Sequence, residues 1–124
     1  MSRHPGGTIV VIDWRDGAQP KEPSRLRPAV VVEDHELFPD EYPNMLVVPL
    51  TRDEGLAHRS FAERIEPTDE NGAGTTCWAL AHHVTSVSLR RGGPTDSRIT
   101  VEQLASIRRR ITVAVAVGAG WRVD

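Results

Sequence analysis

Apolar residues fall in short runs separated by long polar stretches, and only the last run has a helical period. The first, 8-TIVVIDW-14, is short and β-branched, which predicts a buried strand. Next, 15-RDGAQPKEPSR-25 is rich in Pro, Gly and charge and lacks periodicity, which predicts a long mobile loop. Pro28 opens the second run, 29-AVVVE-33, where a proline is tolerated because the first residue of a strand need not donate to the ladder. A loop with two prolines, 34-DHELFPDEYPN-44, leads to a third strand, 45-MLVVPLT-51, in which Pro49 predicts an edge or a bulge. The stretch 52-RDEGLAHRS-60 is polar and turn-like, whereas 61-FAERIEP-67 alternates at period two, as a half-exposed strand does. A turn is expected on Asn71-Gly72. The run 75-TTCWALAHHVTSVSL-89 is too long for one flat strand, so a bend or break is expected near His82-His83.

The period then changes. Thr100 and Gln103 form a T-x-x-Q capping box, and Leu104, Ile107, Ile111 and Val115 follow at spacings of three and four. Arg108, Arg109 and Arg110 occupy most of the opposite face, and Gly118 and Gly120 are expected to stop the helix. One helix cannot supply the crossovers of a parallel sheet. The fold class expected is therefore mostly β: a small antiparallel barrel of bent strands, with long loops at its mouth and a C-terminal helix on one side.

Composition narrows the picture. A chain of 124 residues predicts a single domain, 1–124, with its core over 7–117. No apolar stretch approaches the roughly 18–20 residues that span a bilayer, and the first residues, MSRHPGGT, contain no apolar signal core. Cys77 is the one cysteine, which excludes an intrachain disulfide and a cysteine-rich zinc site. A cytoplasmic, bacterial-type protein fits these features. The histidines form no metal-binding spacing, so neither a metal site nor another cofactor is expected. The net charge of −2 does not advertise nucleic-acid binding, but of the 15 basic residues only Lys21 is a lysine. Arginine binds phosphate through a planar fork and stacks on bases; a GC-rich genome would produce the same bias.

The order of motifs is more informative than any one of them. The pieces 7-GTIVVIDW-14, Glu22 followed by 27-RPAVVV-32, and 47-VVPLT-51 resemble the MazF/PemK-type toxin family. So do 71-NGAGTTCWALAHHVTSV-87 and the closing segment 101-VEQLASIRRRITVAV-115, and the likeness spans about residues 7–117. The resemblance implies an SH3-like barrel acting as a homodimer. It also implies a metal-independent endoribonuclease that cuts single-stranded RNA at short sequences. A cognate antitoxin with an acidic C-terminal tail would bind the same face, and DNA would be bound only through that complex. A gyrase-binding toxin of the CcdB type, or a family member that has lost catalysis and acts only by protein binding, are the alternatives.

Metal-free RNA cleavage uses the substrate's 2′-OH as nucleophile. The enzyme must take its proton, protonate the leaving 5′-oxygen and stabilise charge on the phosphoryl oxygens. Arg27 suits the last role, and Pro28 after it restricts its backbone to an extended form. Thr51 matches the family's V-P-x-T, and its hydroxyl is suited to donate to a phosphoryl oxygen. Glu22 matches the loop carboxylate of the resemblance, as base or as partner of Arg27. Some members carry an Arg–x–Asp pair in the later strand, where this chain has Leu80 and His82, and His82 is the substitute expected for proton transfer. His82 and His83, as consecutive strand residues, are expected to face opposite sides. Arg25, Arg52, His58, Arg59 and His83 are the candidates for RNA contact. His35 sits in a loop and is not distinguished from surface. Trp14 or Trp78 could stack a base, but both are read as core or interface residues.

Overall fold

The structure is a computed structural model, and it describes residues 3–14, 26–58 and 60–116. Strand β1, Thr8–Asp13, pairs antiparallel with β2, Leu26–Val31, from Ile9 opposite Val30 to Asp13 opposite Leu26. Strand β3, Asn44–Thr51, lies on the other side of β2. Alternate residues of these three strands enter two different cores. Ile9, Val30, Val32 and Val48 pack with Ile65, Cys77, Ala79 and Ile99. Val10, Ile12, Ala29, Val31, Met45 and Val47 pack on the opposite face with Val87 and Leu89. Burial on both faces is why these strands read as continuous apolar runs rather than alternating ones. Burying each such Val or Ile stabilises the fold by roughly 1.5–3 kcal/mol.

The expected positions of proline are refined. Strand β2 begins at Leu26, so Pro28 is its third residue rather than its first. It is tolerated because the β3 pairs start only at Ala29, which leaves Leu26 to Pro28 paired with β1 alone. Pro49 does lie at an irregularity. On the flank of β3 away from β2, Val47 pairs with Thr85 and Leu50 with Ala79. Two residues on β3 therefore face five, Leu80 to Val84, on the neighbouring chain. The surplus is taken up by a 3-10 turn, Ala81–His83, which separates β5, Cys77–Leu80, from β6, Thr85–Ser88. This is the break expected at His82-His83. The turn falls opposite Val48 and Pro49, where proline has no N–H to donate to a ladder.

Strand β4, Ala62–Ile65, pairs with β5, as the period-two segment predicts. Residues 90–99 were assigned no element from sequence, yet β7, Gly92–Arg98, runs antiparallel to β1. Its start, Gly-Gly-Pro, has poor strand propensity, which an edge position tolerates. Gly92 sits over the second core, where a Cβ would collide with Met45. The sheet order is β4-β5-β3-β2-β1-β7, with β6 also on β3. The sheet is thus mostly antiparallel and barrel-like, but β4 and β7 end it without pairing with each other among the described residues.

Helix α1, Val101–Ala114, closes the first core with Leu104 and Ile107, while Ile111 packs at its edge. Both capping-box bonds form: Gln103 N donates to Thr100 Oγ1 and Thr100 N to Gln103 Oε1. The last turn departs from expectation. The helix ends at Ala114, before the glycines, Ala116 adopts a left-handed φ of 58°, and Val115 is exposed. Gly118 and Gly120 lie outside the described residues. Of the three arginines Arg109 is exposed, whereas Arg108 and Arg110 turn to the fold. Arg108 donates from Nε and Nη2 to the carbonyls of Val32 and Glu33, and Arg110 approaches Glu63 at 3.4 Å. A second tie joins the N-terminal residues to β3. Arg3 donates twice to Glu33 Oε2, at 2.8 and 2.6 Å, while Glu33 Oε1 accepts from Leu46 N. No helix among the described residues is long and apolar enough to cross a membrane.

Candidate functional site

The β2–β3 ladder pairs Val31 with Val47, Val30 with Val48 and Ala29 with Pro49. The ladder stops at that pair, and Arg27 and Thr51 each lie two residues beyond it, on the two strands as they part. Side chains alternate along a strand, so both belong to the face of Ala29 and Pro49. Beyond that last pair the strands take different partners. Arg27 pairs with Ile12 on β1, and Thr51 pairs with Trp78 on β5. The divergence opens a cleft of about 1090 Å3, and both residues line it.

Arg27 is exposed, at the start of β2, where the backbone is extended. Thr51 is half-buried at the end of β3. Its Oγ1 accepts from Asp53 N at 3.0 Å, which fixes the rotamer and leaves the hydroxyl proton to be donated elsewhere. Arg52 and Asp53 follow on the same rim, with Asp53 Oδ1 capping the 3-10 turn Glu54–Leu56. Leu26 and Leu56, 58% and 48% exposed, add an apolar lip. A cation, a hydroxyl and an apolar lip at one cleft suit a ligand with both phosphate and flat apolar surface.

The opposite wall is uncharged. Asn71 is buried, its Oδ1 accepting from Thr68 N and Ala73 N while Nδ2 donates to the Glu66 carbonyl. These bonds hold the turn expected at Asn71-Gly72, where Gly72 has a φ of +63° and a Cβ would meet Ser97 Oγ at 2.6 Å. Thr75 and Ser97 place hydroxyls along this wall, while the Thr95 hydroxyl donates to the Ile9 carbonyl and accepts from Ser97 N. Sequence reading missed Thr95 and Ser97 because the glycines and proline before them obscured β7. The alternation over 95-TDSR-98 was the available signal, since Thr95 and Ser97 are half-buried while Asp96 and Arg98 are exposed. Cys77 lines the cleft from a buried position, and burial, then the charge of Glu66, pushes its thiol up.

The histidines are arranged differently from expectation. His82 and His83 lie on the 3-10 turn, not a strand, so their rings lie side by side, with centroids 4.3 Å apart. His83 lines the cleft; His82 does not and stacks instead on Phe61, at 5.2 Å. Loss of water, then the charges of His83 and His58, pushes His82 down from the ordinary histidine value. His58 packs on the other side of Phe61, at 5.1 Å, and accepts from Ser60 N at Nδ1, away from the cleft. Of the residues singled out from sequence, Arg27, Thr51, Arg52 and His83 are brought together in the cleft. Glu22, Arg25 and Arg59 lie outside the described residues.

An open antiparallel barrel with one closing helix, carrying an arginine–threonine cleft where two central strands part, defines the class. The family model for PemK-like, MazF-like toxins of type II toxin-antitoxin systems matches residues 6–115, and the chain belongs to that family. Solved structures share the fold. MazF from Deinococcus radiodurans is 20% identical, with a TM-score of 0.70, covering 92% of this chain and 97% of that one. An endoribonuclease in complex with its cognate antitoxin, from a mycobacterial species, is 14% identical, with a TM-score of 0.72 and coverage of 95% and 100%. The Mycobacterium tuberculosis toxin MazF-mt6 is 13% identical, with a TM-score of 0.68 and coverage of 90% and 99%. No curated protein matches the chain in sequence.

Proposed function

We propose that this toxin is an endoribonuclease that cleaves single-stranded RNA at the Arg27–Thr51 cleft without a metal ion. The observation that carries the reading is one cleft lined by both Arg27 and Thr51 in a member of a toxin family. The guanidinium grips the scissile phosphate, and the Thr51 hydroxyl donates to a phosphoryl oxygen as charge builds there. The 2′-oxygen attacks phosphorus and the bond to the 5′-oxygen breaks, giving a 2′,3′-cyclic phosphate and a 5′-OH. Glu22, on the loop before β2, and the His82-His83 turn supply the groups that move protons. Arg52 and His83 extend RNA contact along the cleft, Arg25, Arg59 and His58 add further contacts, and the hydroxyls of Thr75 and Ser97 read base edges.

The functional unit is a cytoplasmic homodimer, silenced by an antitoxin whose acidic tail competes with RNA for the same arginines. A structural neighbour described as an endoribonuclease with its cognate antitoxin supports the reading. The test is to incubate the purified protein with a long single-stranded RNA in EDTA and to map the ends. Discrete cuts with 5′-OH ends are expected. Absence of cuts, or a requirement for a divalent ion, overturns the proposal.

A further inference from the structure

The cleft has a charge-stabilising cation and a hydroxyl, but RNA cleavage also needs a proton for the leaving oxygen. Among the described residues, five ionisable side chains line it: Arg27, Arg52, Asp53, Cys77 and His83. An arginine does not release its proton, and an ionised carboxylate has none to give. Cys77 is buried, and its environment holds the proton on the thiol more firmly than usual. The threonine and serine hydroxyls of the lining are far too weak as acids. Imidazole is the side chain whose proton is exchangeable between about pH 5 and 8. Elimination among lining groups leaves one donor.

We propose that His83 is the general acid of the cleft, protonating the leaving 5′-oxygen, and that His82 is the positioning residue that holds it there. The inference rests on the ribonuclease reading above and assigns one of its unassigned steps. The 2′-oxygen forms its bond to phosphorus as its proton passes to a carboxylate. The P–O5′ bond breaks, its electron pair stays on the 5′-oxygen, and that oxygen takes the proton of His83. The imidazole is neutral afterwards and is reprotonated by water.

The geometry gives the two histidines different duties. The turn that carries them is the surplus chain between β5 and β6, pinned where Ala81 N donates to the Phe61 carbonyl and Val84 N to the Ala81 carbonyl. His82, though exposed, contacts the rings of Phe61 and His83 on either side, so turning into the cleft would break both contacts. His83 is the end of the ring series, which runs from His58 through Phe61 and His82, that reaches the cleft. The charged groups around the turn are accounted for on each side. Arg27, Arg52 and Asp53 share the cleft, and His82 and His58 lie along the rings. Glu63, on the packed strand β4, is engaged by Ser106 and Arg110 of α1.

The test uses an RNA carrying a single cleavable site, made once with the natural 5′-oxygen and once with a 5′-bridging sulfur. Sulfur leaves without protonation, so a general acid is dispensable on the second substrate. His83→Ala should cut the oxygen substrate about 10²–10⁴-fold more slowly than the unsubstituted protein and lose the alkaline fall of its pH–rate profile. It should cut the sulfur substrate at about the unsubstituted rate, which also shows that the variant is folded. His82→Phe, which keeps a ring between Phe61 and His83, should retain that alkaline limb, and His82→Ala should lower kcat without removing it. Equal losses on both substrates, or no loss on either, overturn the assignment while leaving the ribonuclease reading intact. Failure of the unsubstituted protein to cut either RNA overturns that reading and the assignment with it.

Discussion

Arg27 and Thr51 line one cleft, each two residues beyond the last β2–β3 pair. Each is held by a different neighbour, Arg27 by β1 and Thr51 by β5, so the sheet fixes their spacing while leaving the space between them open. Arg27→Ala is expected to lower RNA cleavage by about 10²–10³-fold, the usual loss of a preorganised donor to transition-state charge. Arg27→Lys should recover only part of the rate, because an ammonium cannot make the two parallel bonds of a guanidinium. Thr51→Val keeps the shape and removes the hydroxyl, and a loss of about 10²-fold is expected. Cleavage kinetics together with thermal melting check these outcomes, the melting separating a loss of rate from a loss of fold.

Both residues were legible in the sequence because they sit in short motifs whose spacing a strand preserves. The two-faced burial of 29-AVVV-32 and the capping box at Thr100 and Gln103 were equally local, and both are present in the fold. What escaped sequence reading depends on pairing at a distance. Strand β7 has the composition of a loop and becomes a strand only because β1 presents an open edge. His82 was preferred to His83 for proton transfer while both were placed on a strand, whereas the turn sets His83, not His82, in the cleft. Their geometry follows from three surplus residues between two ladders, which no local pattern reveals. The fate of Arg108 depended on where the carbonyls of Val32 and Glu33 came to lie.

The Arg3–Glu33 pair predicts a large stability effect away from the cleft. Both side chains are almost fully buried, 3% and 1% exposed, and Arg3 also donates to the carbonyls of Tyr42 and Asn44. Glu33→Ala strands the guanidinium and leaves Leu46 N without its acceptor, at an expected cost of about 3–5 kcal/mol. Urea denaturation should show the midpoint falling accordingly. An unchanged midpoint would mean that the pair contributes nothing in solution.

Helix α1 offers a smaller and cleaner test. Thr100→Ala removes the acceptor for Gln103 N at the helix start, and a loss of about 1 kcal/mol is expected. Gln103→Ala removes the reciprocal bond to Thr100 N and should cost less, because that exposed N–H can be solvated by water. Chemical denaturation of the two single variants and the double variant separates the contributions. The double variant should fall short of the sum, since the two bonds act as one unit.

The ring series also gives the fold a small sensitivity to acid, small because His82 is exposed. His82 is pushed below its ordinary value by loss of water first, then by the charges of His83 and His58. The folded protein therefore binds this proton less readily than the unfolded chain. Its contribution is fully present above the unfolded histidine value of about 6.5, and stability is lost as pH falls from there toward the lower folded value. His82→Gln should flatten that part of the profile. His83→Gln and His58→Gln each remove one of the charges that oppose protonation, so each should raise the His82 titration midpoint and narrow the window. Titration of the ring protons by NMR follows the midpoint directly, and denaturation at about pH 5 and pH 7.5 follows its consequence. A His82 midpoint that stays put in both variants would show that the neighbouring imidazoles do not act on it.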